Sequence, residues 1–284
     1  MTTYAVTGAS GHLGHLIVRQ LIERGIRPTD IVAIARSTDK AADLAASGVD
    51  VRFGDYTDST SLGAALAGVD RLALVSSSEV GQRVAQHQAV IAAAQRAGVG
   101  HIAYTSLLRV STTSNPLAGE HMATEQDLAA SGIPVTLLRN SWYFENYTDQ
   151  LGQYTASGAI LGATQNAALS AATRADFADA AAAALIEAKP GSVYELAGPS
   201  FTLTDLAAAV TAATGTVVEY RDVSVEDLAA TYEGLGMDAG TAGSFASVDS
   251  SIAKGELFSD SRDLQSLIGR EPTSLADAVA QAVA

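Results

Sequence analysis

"TGASGHLG", residues Thr7 to Gly14, closes the short β-branched run Thr3–Thr7 and leads into Leu13–Arg24, where Leu16, Ile17 and Leu21 recur at helical spacing. Glycine stands at positions 8, 11 and 14. A strand-to-helix turn of this kind needs residues without a Cβ: one for the tight bend, one so that backbone amides approach a pyrophosphate, one so that helix packs on strand. The helix start then faces the phosphates with free N–H groups and a partial positive charge. A glycine triplet alone is weak. Placed after a strand and at the opening of a helix, it reads as a dinucleotide-binding loop made of Gly8, Ala9, Ser10, Gly11, His12, Leu13 and Gly14.

The surrounding pattern agrees. Strand-like runs at Ile31–Ala35, Val49–Phe53, Arg71–Val75, Ile102–Thr105 and Val135–Leu138 alternate with helix-like segments at Lys40–Ser47, Thr60–Ala67, Gln82–Ala97 and Glu120–Ala130. Short apolar strands between helices predict a parallel sheet covered on both faces, with ligands bound outside the carboxyl ends of the strands. After Tyr147 the alternation loosens. Ala175–Ala188 reads as an alanine-rich helix, Ser192–Leu196 and Val217–Tyr220 as strands, and Val225–Leu235 and Leu275–Val283 as helices. "FTLTDLAAAVTAATG" reads as a helix with Thr202 or Thr204 as N-cap and Gly215 as stop. The expected fold is α/β: a Rossmann-like doubly wound parallel sheet over residues 1–147, and a smaller C-terminal α+β substrate lobe over 148–284 with some segments returning to the sheet.

Composition narrows the function. The chain has 284 residues, 48% of them hydrophobic, and a formal charge of −14. A nucleic-acid backbone would be repelled, so no nucleic-acid partner is expected. There is no cysteine, which removes disulfides, cysteine nucleophiles and thiolate metal sites. No leader or bilayer-length apolar run is read, so a cytoplasmic protein without a membrane span is expected. His12 and His15 have the spacing of a metal pair but no third ligand, and no metal site is expected.

The second strand bears on the cofactor. NAD sites carry an acid there for the adenosine ribose. This sequence has Arg36, 22 residues after Gly14, and no acid before Asp39. A guanidinium suits a 2′-phosphate, so NADPH is expected, with NADH weaker. Asp55 in "GDY" is a candidate acceptor for the adenine amino group, or a turn residue. Ser76, Ser77 and Ser78 end the fourth strand and can line ribose and nicotinamide, or simply form a turn.

Together with Arg36 and "GDY", the segments "TGASGHLG", "VSSSEVGQR", "IAYTSLL", "LLRNSWYFENY", "ATRADFADAAAA", "VYELAG" and "KGELFSDS" resemble the NmrA-like group of atypical short-chain dehydrogenases nearly end to end. Within that group the chain is most similar to the bacterial NAD(P)H:quinone oxidoreductases of type 2. The resemblance implies NADPH in the cleft and a quinone as the small-molecule hydride acceptor. By position it implies that Gly8–Leu13 hold the pyrophosphate, and that Asn140, Ser141, Trp142, Tyr143, Phe144 and Glu145 border nicotinamide and substrate. It makes Arg139 structural or a phosphate-side contact. It also admits a cofactor-sensing regulator without turnover, a reductase of dyes or other conjugated acceptors, and a homo-oligomer.

Members of the wider superfamily with a Tyr–Lys dyad carry lysine four residues after the tyrosine, where it lowers the phenol pKa. The three lysines here, Lys40, Lys189 and Lys254, stand at no such spacing; Tyr104 is followed by Leu108 and Tyr143 by Tyr147. Alkoxide chemistry is therefore disfavoured. A quinone oxygen becomes a phenolate, with a pKa of about 10, and needs no strong acid. Tyr104 is expected to pack, with Thr105 and Ser106 as candidate nicotinamide-side contacts. No catalytic residue is certain; Asn140, Tyr143 and His121 are the candidates. Tyr143, Phe144, Asn146 and Thr173 are candidate substrate contacts, with Trp142 a further ring able to stack. Thr173 also reads as a helix cap, and Arg174 and Asp176 as a salt bridge between lobes.

Overall fold

The computed structural model describes residues 1–283; residue 284 lies outside the described residues. The first half alternates as its apolar runs dictate: β1 (Tyr4–Val6), α1 (His12–Glu23), β2 (Ile31–Ala35), α2 (Ala42–Ala46), β3 (Asp50–Phe53), α3 (Ser59–Ala65), β4 (Arg71–Leu74), α4 (Arg83–Ala97), β5 (His101–Leu107), α5 (Ala118–Ala130) and β6 (Val135–Asn140). The central strands are buried throughout because helices cover both their faces: every residue of β2 and of β5 is buried. Then follow β7 (Trp142–Tyr143), α6 (Glu145–Thr148), α7 (Leu151–Ser157), β8 (Ala159–Gly162), β9 (Leu169–Ala172), α8 (Arg174–Glu187), β10 (Val193–Leu196) and β11 (Ser200–Phe201). The chain ends with α9 (Leu203–Thr214), β12 (Glu219–Asp222), α10 (Val225–Gly234), α11 (Ala239–Ala253), α12 (Asp263–Ile268) and α13 (Leu275–Val283).

The main sheet has seven parallel strands in the order β3-β2-β1-β4-β5-β6-β10. The order reverses between β2 and β4 on either side of β1, and the crevice for a ligand opens there. One core lies between the sheet and α1 and α8, built around Ile17, Leu21, Phe177 and Leu185. The other lies under α3, α4 and α5, around Leu62, Val90, Ile91 and Leu128. Two segments from beyond residue 148 belong to this layer: α8 packs on α1, and β10 pairs with β6 from Val193↔Leu137 to Leu196↔Asn140. Alanines at 178 and 180–184 are all buried, and their small side chains let the two helices approach closely.

The lobe holds its own core around Phe144, Leu151, Ile160, Leu206 and Ile252. It contains a two-stranded parallel sheet, β8 with β12, and a three-stranded sheet, β11-β9-β7. Thr202 caps α9 in a capping box with Asp205. Arg174 and Asp176, expected to take part in salt bridging between lobes, each pair with a residue outside α8. Asp176 meets Arg270 at 2.7 Å, while Arg174 faces Asp149 at 3.5 Å. Among the described residues no helix is long and apolar enough to cross a membrane.

Candidate active site

The glycine loop sits at the carboxyl end of β1. Gly8 has φ +62°, the left-handed region that favours glycine. A Cβ on Gly14 would lie 2.7 Å from the Gly8 carbonyl carbon and 2.9 Å from the Thr7 oxygen, so only glycine lets α1 pack this closely. Gly11 caps α1 without a side-chain bond, which leaves the first amides of the helix free for an anion. Ala9 contributes differently from the expectation. It is fully buried and its N–H is committed to the Ile34 carbonyl at 3.0 Å.

A cleft of about 450 Å³ runs from this loop along the strand ends. Its phosphate side is formed by Gly8, Ser10, Gly11, His12, Leu13 and Gly14, with Arg36 at the end of β2. Ser76, Ser77 and Ser78 line its middle, and Ser106, His121, Asn140, Ser141, Trp142 and Tyr143 its far end. These residues, singled out across the sequence, are brought to one surface. Asn140 Oδ1 and Ser141 Oγ are buried there without a hydrogen-bond partner among the described residues. The glycine cradle, the free helix start and these orphaned polar atoms suit a dinucleotide with a carboxamide at its reactive end. No cluster of His, Asp and Glu fit for a metal occurs among the described residues.

Other candidates lie off the lining, for visible reasons. Asp55 accepts from the Thr57 N–H and hydroxyl, both at 2.8 Å. It is a turn residue whose carboxyl these bonds hold below the usual range. Its neighbour Tyr56 lines the cleft instead, its hydroxyl donating to the Val75 carbonyl at 3.0 Å. Thr105 is buried and accepts from the Ser76 N–H at 2.8 Å, so it fastens the serine loop from behind. Phe144 is 1% exposed and packs on Phe201 in the lobe core, because residues 142 and 143 take the cleft side of the same segment. Glu145 accepts from the Arg174 N–H at 2.8 Å. Asn146 starts no cleft contact; its carbonyl accepts from Gln150. Thr173 accepts from the Asp176 N–H as the cap of α8 and is buried.

The sequence reading did not single out Tyr56, Glu79, Arg83 or Gln86 as lining residues, and took Arg174 as a salt-bridge partner, whereas all five line the cleft. Arg83 donates to the Ser77 carbonyl at 2.6 Å and pairs with Glu120 at 2.9 Å, holding the serine loop against α5. Arg174 stands 5.6 Å over the Tyr143 ring, an attractive placement for a cation. Only its position at the start of a helix facing the strand ends could have signalled this.

Histidines occupy the floor. His87 Nε2 accepts from the Ser77 N–H at 3.0 Å, so its other nitrogen carries the proton and donates to Thr124 at 2.9 Å. The Tyr104 hydroxyl and His121 Nδ1 lie 2.8 Å apart. Burial, with the Arg83 charge behind it, pushes both imidazoles down to about 3. Burial pushes the Tyr104 phenol well above its ordinary value. Beneath them Arg139 is clamped by Glu125 at 2.7 Å and Glu195 at 2.9 Å, a structural tie between β6, α5 and β10. Glu125 also accepts from Ser106 at 2.6 Å.

Residues 2–277 match the model of the NmrA-like family. The chain belongs to the NmrA-like family. This NmrA-like protein is 48% identical to quinone oxidoreductase 2 of Escherichia coli (strain K12) over 277 residues, 97% of this chain and 96% of that one. Its structure superposes on the NADPH complex of the NADPH-dependent quinone oxidoreductase of Escherichia coli with a TM-score of 0.95, at 47% identity, covering 98% and 99% of the two chains. It superposes on the NADP(H) complex of the Citrobacter sp. triphenylmethane reductase with a TM-score of 0.93, at 36% identity, covering 99% and 100%.

Proposed function

We propose that this NmrA-like protein is an NADPH-dependent quinone reductase that transfers hydride directly to its acceptor, in the cytoplasm. The observation that carries the reading is the makeup of the far end of the cleft. It offers Asn140, Tyr143 and Arg174, and among the described residues no lysine lines it. The quinone reductase of Escherichia coli, 48% identical, supports it.

When bound, NADPH supplies a hydride, and thus both electrons together. The free amides at the start of α1 bind the pyrophosphate, and Arg36 holds the 2′-phosphate. Ser76–Ser78, which line the middle of the cleft, would hold the ribose. Asn140 and Ser141, with their unpartnered oxygens, orient the reactive end of the cofactor. Trp142 and Tyr143 frame a flat ring and exclude water from it. Hydride addition leaves an anionic oxygen on the acceptor. The Arg174 guanidinium over Tyr143 compensates that charge, and a solvent proton completes the hydroquinone. Quinone, NADPH and one proton thus yield hydroquinone and NADP⁺.

A second reading, reduction of cationic dyes, is favoured by the likeness to the triphenylmethane reductase. Arg174 opposes it, since a cation at the acceptor end repels a cationic substrate. The purified protein should consume NADPH only when a quinone is supplied, and faster than with a triphenylmethane dye. Faster dye turnover would select the second reading. Cofactor binding with no turnover on any acceptor would overturn both and favour a cofactor-sensing regulator.

A further inference from the structure

Arg36 does not stand alone at the mouth of the cleft. Its Nη1 lies 2.9 Å from Glu79 Oε1. Arg36 directly follows β2 and Glu79 follows β4, and these two strands flank β1, so the ion pair spans the carboxyl edge of β1. The glutamate is anchored. Its second oxygen accepts from Gln86 Nε2 at 2.8 Å, and its own N–H donates to Ser77 Oγ at 3.2 Å. Gln86 is 5% exposed and fixed on α4. The arginine is the looser partner, with its side chain 60% exposed.

We propose that Glu79 sets the protein's discrimination between NADPH and NADH by competing with the 2′-phosphate for Arg36. The proposal rests on the reading of Arg36 as the 2′-phosphate ligand. An exposed ion pair is weak and yields readily to a dianionic phosphate. The carboxylate cannot withdraw far, because Gln86 and the Ser77 turn hold it, so phosphate and carboxylate share one guanidinium and repel each other. NADH brings no such charge. Its 2′-hydroxyl can instead donate to the anchored carboxylate, the role an acid on the second strand plays in NAD sites. Glu79 therefore weakens NADPH and favours NADH, and the protein is less selective than its Arg36 alone would make it.

The test is the ratio of kcat/KM for NADPH to that for NADH in wild type, E79Q, R36A and the double variant. Glu79→Gln should raise the ratio about three- to tenfold at low ionic strength, and the gain should shrink as salt screens the repulsion. An unchanged or lowered ratio in E79Q overturns the proposal. So does a gain in the R36A background equal to that in wild type, since the competition runs through the arginine. R36A tests the underlying reading separately. It should lose NADPH preference, and a ratio left intact in R36A refutes the 2′-phosphate role whatever E79Q does. Thermal unfolding of E79Q should stay close to wild type, because the glutamine keeps an oxygen to accept from Gln86.

Discussion

His87 and His121 make the protein acid-labile in a window that can be worked out. They are 0% and 6% exposed, and burial brings both to about 3. In the unfolded chain each titrates at about 6.5. Between those values the unfolded state binds more protons, so stability is fully present above pH 6.5 and falls as pH drops. Each histidine removes about 1.4 kcal/mol per pH unit in that window. From pH 7 to pH 5 the pair therefore removes about 4 kcal/mol. His101, also pushed down by burial, acts in the same direction. Asp249 acts in the opposite direction. Burial raises its carboxyl to about 6, so the folded state takes up a proton first and regains about 1.4 kcal/mol by pH 5. The net loss is about 2–3 kcal/mol. Urea unfolding at pH 7 and pH 5, at constant ionic strength, measures it. His87→Gln keeps an acceptor for the Ser77 N–H and should remove about half of the histidine contribution. Equal stability at the two pH values, or an unchanged difference in H87Q, would refute the assignment of buried neutral histidines. The same neutrality bears on chemistry: His121 lines the cleft as an uncharged ring at pH 7, so its ionisation should not appear in kcat between pH 6 and 8.

Two further outcomes follow from single sites. Asp249 is half-buried, accepts from the Ala163 N–H at 2.7 Å, and has Asp222 and the phenols of Tyr147, Tyr154 and Tyr232 as its titratable neighbours. Asp249→Asn keeps the acceptor and removes the charge, so at pH 7 it should stabilise by about 2–3 kcal/mol and raise Tm by several degrees, less at pH 5; an unchanged or lower Tm at pH 7 contradicts this. Gly14→Ala forces α1 off the Gly8 carbonyl, and should weaken NADPH binding at least about tenfold by fluorescence titration while far-UV circular dichroism is retained; tight binding in G14A would sink the close-packing argument.

The half of the fold carrying the cofactor cleft was legible because its signals are local. Gly8 and Gly14 are forced by a backbone angle and a close approach, and the strands at the centre of the main sheet, such as β1 and β2, are apolar runs. The lobe was less legible. β7, β8, β9 and β11 are two to four residues long and exist only because distant segments pair with them. "AGTAGSFASVDSSIA" reads poorly as a helix, being rich in glycine and serine. It forms α11 because Asp238 caps it and Ala242, Ala246, Val248 and Ile252 are buried. At the site, the cleft loops could be located but the side chains facing it could not. Asp55 and Tyr56 are neighbours, and so are Tyr143 and Phe144; in each pair one lines the cleft and the other does not. That choice depends on where the chain turns after its strand, which tertiary packing decides.

The placement of cations joins the cofactor site to the proposed chemistry. The chain carries −14 overall, yet Arg36, Arg83 and Arg174 line one cleft. Arg83 is spent on Ser77 and Glu120. The other two face the cleft with carboxylate partners at its rim: Arg36 pairs with Glu79 at the end where a 2′-phosphate would lie, and Arg174, over Tyr143, faces Asp149 at 3.5 Å. A superfamily member that makes or breaks an alcohol would need a lowered phenol, held near a lysine ammonium. Here the phenol of Tyr104 is raised by burial and tied to His121, and Lys40, Lys189 and Lys254 are exposed elsewhere. A guanidinium held over the ring stabilises an oxyanion without protonating it. Such a site suits an acceptor whose reduced oxygen is already a good anion in water, and a quinone meets that condition where a simple ketone does not.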